Sequence, residues 1–84
     1  MIYKLTITRS AQKAFLDIER EMALRIKEKI IALSNEPRPI GCNKLKGRDG
    51  WRIRVGNYRI IYEIDDQEKL ILVLHIGHRR DIYK

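Results

Sequence analysis

Pro37 and Pro39 divide this chain into two parts that cannot fold the same way. A proline lacks the backbone N–H and clashes with the carbonyl one turn back, so no helix begun upstream runs through the pair. Upstream, Ala11, Ala14, Phe15, Ile18 and Met22 recur at three- and four-residue steps. Ala23, Ile26, Ile30 and Leu33 continue the period, with Lys27, Glu28 and Lys29 on the wet side. This is amphipathic helix, capped at its start by Thr8 or Ser10 and ending near Asn35. It is one long helix or a hairpin of two. No Gly or Pro marks a break, but the charged stretch 17–21 is a candidate joint, and two helices are expected.

Strand signals flank this region. Tyr3, Leu5 and Ile7 alternate with Lys4, Thr6 and Thr8, as in a half-buried strand. After a polar, Gly-containing linker over 40–50, three strand-like segments follow at 51–55, 58–64 and 70–77. Gly56-Asn57 suits a tight hairpin with positive φ at its centre, and residues 65–68 form a second polar connection. The nearly unbroken apolar run from Leu70 to Leu74 predicts a strand covered on both sides for part of its length, central in the sheet. The expected fold is a single α+β domain over 1–84 in the order β-α-α-β-β-β. A small, antiparallel-rich sheet carries two helices on one face and leaves the other free.

Cys42 is the only cysteine, so neither an internal disulfide nor a Cys-rich zinc site can form. The longest apolar runs fall far short of the roughly 18 residues of a membrane span, and the start lacks an apolar signal core. No membrane association is expected, and the cytoplasm is the expected location. The net charge is +7, and its placement is informative. Between Arg38 and Arg59, seven basic residues face a single acid, Asp49. Most such runs are solvated faces, yet clustering of this kind favours a polyanionic partner.

If Gly56-Asn57 is a two-residue turn, Arg54 pairs with Arg59, and Arg52 with Ile61. Arg52, Arg54 and Arg59 then share one face, while Trp51, Ile53, Val55, Tyr58, Ile60 and Tyr62 share the other. A longer loop would scatter them. Like charges placed opposite each other cost stability unless an anion sits there, and guanidinium forks match phosphate oxygens. Neutralisation by Glu63 or Asp49 is the structural alternative. Beyond the last strand, 77–84 reads Gly-His-Arg-Arg-Asp-Ile-Tyr-Lys. His78 is a candidate proton donor or acceptor there, and Tyr83 can stack on a base or pin the tail. His75, inside the apolar strand, reads as a core or edge histidine.

Three stretches together resemble the RelE/ParE toxin superfamily of bacterial and archaeal toxin–antitoxin systems: Asn43-Lys44-Leu45-Lys46-Gly47, the run from Trp51 to Tyr62, and His78-Arg79-Arg80-Asp81-Ile82-Tyr83. The resemblance covers the whole chain in element order. It implies a RelE-like toxin, a ribosome-dependent endoribonuclease that cuts messenger RNA by attack of a ribose 2′-OH on the adjacent phosphate, with no metal or cofactor. Basic positions that are typically lysines in RelE members fall on Arg52 and Arg54. Arg59, Arg79 and Tyr83 match the family's arginines and C-terminal tyrosine. Arginine is a poor general base, so proton transfer is expected at His78. Lys44, Lys46, Arg48 and Arg80 are expected to hold RNA backbone. The implied partners are a RelB-like antitoxin, the ribosome and its messenger RNA. The superfamily also contains ParE-like toxins that poison DNA gyrase, and a non-catalytic RNA-binding or degenerate toxin is a third reading.

Overall fold

The computed structural model describes residues 2–78. Among them, β1 (Lys4–Ile7), α1 (Arg9–Leu16), α2 (Arg20–Leu33), β2 (Asn43–Lys44), β3 (Trp51–Val55), β4 (Tyr58–Asp65) and β5 (Leu70–His78) follow in that order. The strands form one sheet ordered β1-β5-β4-β3-β2, antiparallel except where β1 runs parallel to β5.

The helical region is a hairpin of two helices, and the joint falls in the charged stretch. The Thr8 hydroxyl accepts from the Ala11 amide at 3.2 Å to open α1, and the Glu19 carboxylate accepts from the Met22 amide at 2.9 Å to open α2. Each bond satisfies a donor that the first turn leaves orphaned. Glu19 takes an extended conformation between the helices, which breaks the ladder without Gly or Pro. The Ser34 hydroxyl donates to the Ile31 carbonyl at 2.8 Å at the end of α2. The Ser34 carbonyl then accepts from the Tyr3 amide, also at 2.8 Å, tying that end to the strand entry.

The core lies between helices and sheet. Ile26, Ile30 and Leu33 of α2 and Ala11 of α1 pack against Ile53, Val55, Ile60, Tyr62, Ile71, Val73 and Ile76. Full burial of each large aliphatic side chain contributes roughly 1.5–3 kcal/mol. The β3–β4 register is the one expected from a two-residue turn, with Val55 opposite Tyr58 and Arg54 opposite Arg59. Only Gly56 of that turn has positive φ, at 59°, rather than both central residues. This is the pattern of a connection with Gly at its first central position. The Met22 side chain packs over it, with Cε 2.7 Å from where a Cβ on Gly56 would sit.

Two features differ from the sequence expectation. The linker contains the short edge strand β2, whose residues Asn43 and Lys44 pair with Arg52 and Trp51. Two residues give no periodicity to read. In addition, β5 is an interior strand but not the middle one, since β4 holds that position. A bulge between β4 and β5 shifts their register between Ile61 and Tyr62, so that Tyr62 faces Val73 and Ile61 faces His75.

Candidate nucleic-acid interface

Strand alternation and register build the site. Residues directly opposite each other share a face. Arg54, Arg59 and Gly77 therefore form one row across β3, β4 and β5, and Arg54, on the open edge of β3, also borders a groove with Arg25, Glu28 and Lys29 of α2. Asn43, Arg52, Ile61 and His75 form the next row on the same face, across β2 to β5. The three central arginines are thus grouped as the sequence predicts. Arg54 is exposed and Arg52 half-buried, while Arg59 retains only 7% of its accessible surface.

Glu63 lies on β4 two residues beyond Ile61, diagonal to Arg52 on the same face. A carboxylate can therefore reach the Arg52 row, but it lies a full row further from the Arg54–Arg59 pair. Asp49, the other candidate neutraliser, is exposed in the 45–50 turn, which closes through the Leu45 amide on the Gly50 carbonyl at 3.0 Å. Lys46 and Arg48 are exposed on the same turn, beyond the edge strand β2.

Other expected members of the site are placed elsewhere. Lys44 pairs with Trp51 and so sits out of phase with Arg52 and Arg54. Its ammonium lies over the Trp51 ring at 5.4 Å, on the opposite side of the sheet edge from the arginine rows. His78, expected beside the arginines, pairs instead with Tyr58 on the helix-side face, with their rings edge to face at 5.5 Å. The reason is the period of two: Gly77, not His78, is in phase with Arg59. Arg79, Arg80 and Tyr83 lie outside the described residues.

Arg38 is also taken out of the cationic face. It forms a forked pair with Asp66 at 2.8 and 3.3 Å, and Asp66 accepts a 2.7 Å bond from the Tyr3 hydroxyl. These contacts hold the Asp66 carboxyl down at about 2, chiefly through the hydrogen bond from Arg38 and then that from Tyr3. The same bond to Asp66 pushes the Tyr3 phenol up. Arg38 also lies over the Trp51 ring at 5.1 Å, so the group clasps the linker to the β4–β5 turn. Beneath the linker, the fully buried Tyr62 hydroxyl donates to the Pro37 carbonyl at 2.7 Å, and burial pushes its phenol upward.

Sequence reasoning missed His75. It is exposed, and it lies on the arginine face rather than in the core. The available signal was Ile76: once that residue is assigned to the core, its neighbours His75 and Gly77 must point the other way.

A five-stranded mixed sheet with two helices on one face is the fold of solved RelE toxins. The archaeal RelE of a RelE–RelB complex from Pyrococcus horikoshii superposes with a TM-score of 0.84 at 30% identity, over 94% of this chain and 97% of that one. Escherichia coli toxin RelE, as a mutant in the free state, gives 0.79 at 26% identity over 99% and 92%. The family model described as the ParE toxin of the type II toxin–antitoxin system parDE matches residues 5–83, and the chain belongs to that family of type II toxins. Among curated relatives, Toxin RelG of Mycobacterium tuberculosis is 38% identical over 53 residues, 62% of this chain and 61% of that protein. The alignment thus spans less than two thirds of the relative's length.

Proposed function

We propose that this toxin is a messenger-RNA endoribonuclease that acts in the cytoplasm on ribosome-bound message. The observation that carries the reading is the row of Arg54 directly opposite Arg59, with Arg52 beside it on the same face. Guanidinium forks grouped on one face match the oxygens of a bound phosphate. Guanidinium groups aimed at a phosphate also stabilise the extra negative charge that develops as a 2′-oxygen attacks it. Arg79 and Tyr83 complete the clamp and orient the substrate in this reading, and Lys46, Arg48 and Arg80 hold RNA backbone. The likeness to RelE structures and to Toxin RelG supports it.

The partner in this reading is a RelB-like antitoxin that covers the cationic face, as solved relatives are RelE–RelB complexes. A second reading has its own observation: the matching family model is described as ParE, and a ParE-like toxin would inhibit DNA gyrase without cutting RNA. The test is to map messenger-RNA 5′ ends after adding the purified protein to a reconstituted translation reaction, with an Arg54→Ala, Arg59→Ala protein as control. New ends inside ribosome-occupied codons, absent with the control, support the ribonuclease. Intact message together with inhibited supercoiling supports the gyrase reading.

A further inference from the structure

The described arginine face contains charge stabilisers but lacks an assigned group to move the proton. Arginine keeps its proton at any relevant pH, so Arg52, Arg54 and Arg59 cannot serve. Of the chain's two histidines, the register sends His78 to the Tyr58 side and His75 to the arginine side. His75 shares a row with Arg52, across Ile61, and is diagonal to Arg59 on the adjacent strand. Diagonal neighbours on one face are about 7–8 Å apart, a gap that long side chains and a bound nucleotide bridge. The attacking 2′-OH and the phosphate belong to neighbouring positions on one strand of RNA. Their base must therefore lie beside the phosphate clamp and not across the thickness of the sheet.

Resting on the ribonuclease reading above, we propose that His75 is the general base of RNA cleavage. Its neutral imidazole takes the proton from a ribose 2′-OH while Arg54 and Arg59 hold the adjacent phosphate. The 2′-oxygen bonds to phosphorus, the bond from phosphorus to the 5′-oxygen breaks, and the departing 5′-oxygen takes a proton from water. The hydroxide so formed recovers the proton from the imidazolium. The products are a 2′,3′-cyclic phosphate and a 5′-hydroxyl end. Among the described residues, the register places Arg52 on β3 and Arg59 and Glu63 on β4 on the same face as His75. The Thr8 hydroxyl is bonded to the carbonyl of Leu74, next to His75.

Cleavage by the wild-type, His75→Ala, His75→Gln and His78→Gln proteins would be compared in the reconstituted translation reaction across pH. Thermal melts of each would confirm the fold. General-base loss reduces cleavage by roughly 100-fold or more. Both His75 variants are expected to show this drop and to lose the ascending limb of the pH profile. Added imidazole is expected to restore cleavage to His75→Ala but not to an Arg54→Ala protein. Retention of the parental rate by His75→Ala overturns the proposal, as does loss of cleavage in His78→Gln alone. If the wild type cuts no message, the ribonuclease reading falls and this assignment falls with it; if it cuts and the His75 variants do too, only the assignment falls.

Discussion

Replacing Tyr62 with phenylalanine isolates a single buried hydrogen bond. Tyr62 is fully buried, and its hydroxyl donates to the carbonyl of Pro37, also buried, at 2.7 Å. The phenyl ring remains after the change, so the loss is one oxygen atom and one bond. The carbonyl is left without that donor in a site shielded from water, which costs about 1–3 kcal/mol. A central figure of about 1.5 kcal/mol is set against an unfolding entropy of about 0.18 kcal/mol/K for a chain of this size, which lowers the midpoint by roughly 8 °C. Thermal unfolding followed by circular dichroism at neutral pH measures it. A shift below about 2 °C would refute the reasoning, because it would mean that the linker relaxes or that water reaches the carbonyl at no cost. The alkaline limb gives a second readout. Burial raises the Tyr62 phenol, so its contribution is complete below the ordinary tyrosine pKa of 10.0 and disappears as pH rises above it. Tyr62→Phe therefore flattens the loss of stability at high pH, leaving the smaller contribution of Tyr3.

The Asp66 carboxyl, held at about 2 against an ordinary 3.8, contributes stability above the ordinary value that is lost as pH falls toward 2. Asp66→Asn is expected to remove that part of the acid transition in a pH-dependent melt. Gly56→Ala places a Cβ 2.7 Å from Met22 Cε at a φ of 59°, and should lose roughly 1–2 kcal/mol in denaturant unfolding. A Met22→Ala background should recover the steric share only. Arg54→Ala, at an exposed strand position, is expected to change stability by no more than about 0.5 kcal/mol while reducing message cleavage at least roughly tenfold. Exchanging Lys46 and Arg48 for alanine should lower the dependence of RNA affinity on salt by about two phosphate contacts, measured by titration at several ionic strengths.

Several elements of this chain follow from local rules alone. Helix periodicity closed by Pro37 and Pro39, alternation in β1, and a Gly-led two-residue turn between β3 and β4 each follow from sterics and burial within a few residues. The turn alone set the pairing of Arg54 with Arg59, because a hairpin's register follows from its loop length. Other features depend on partners distant in sequence and arise only in the folded chain. β1 lies parallel to β5 because the helical hairpin returns the chain across one face of the sheet, and β2 exists only because β3 offers an open edge. The bulge opposite Tyr62 set the phase of β5, which sends His75 to the arginine face and His78 to the Tyr58 side. An apolar run shows that a strand is buried, but it does not show which neighbouring strand will fix its phase. Arg38 was lost to the cationic face for the same reason, since Asp66 reaches it only through the folded linker. Local rules placed the arginines together; long-range register chose the histidine that stands beside them.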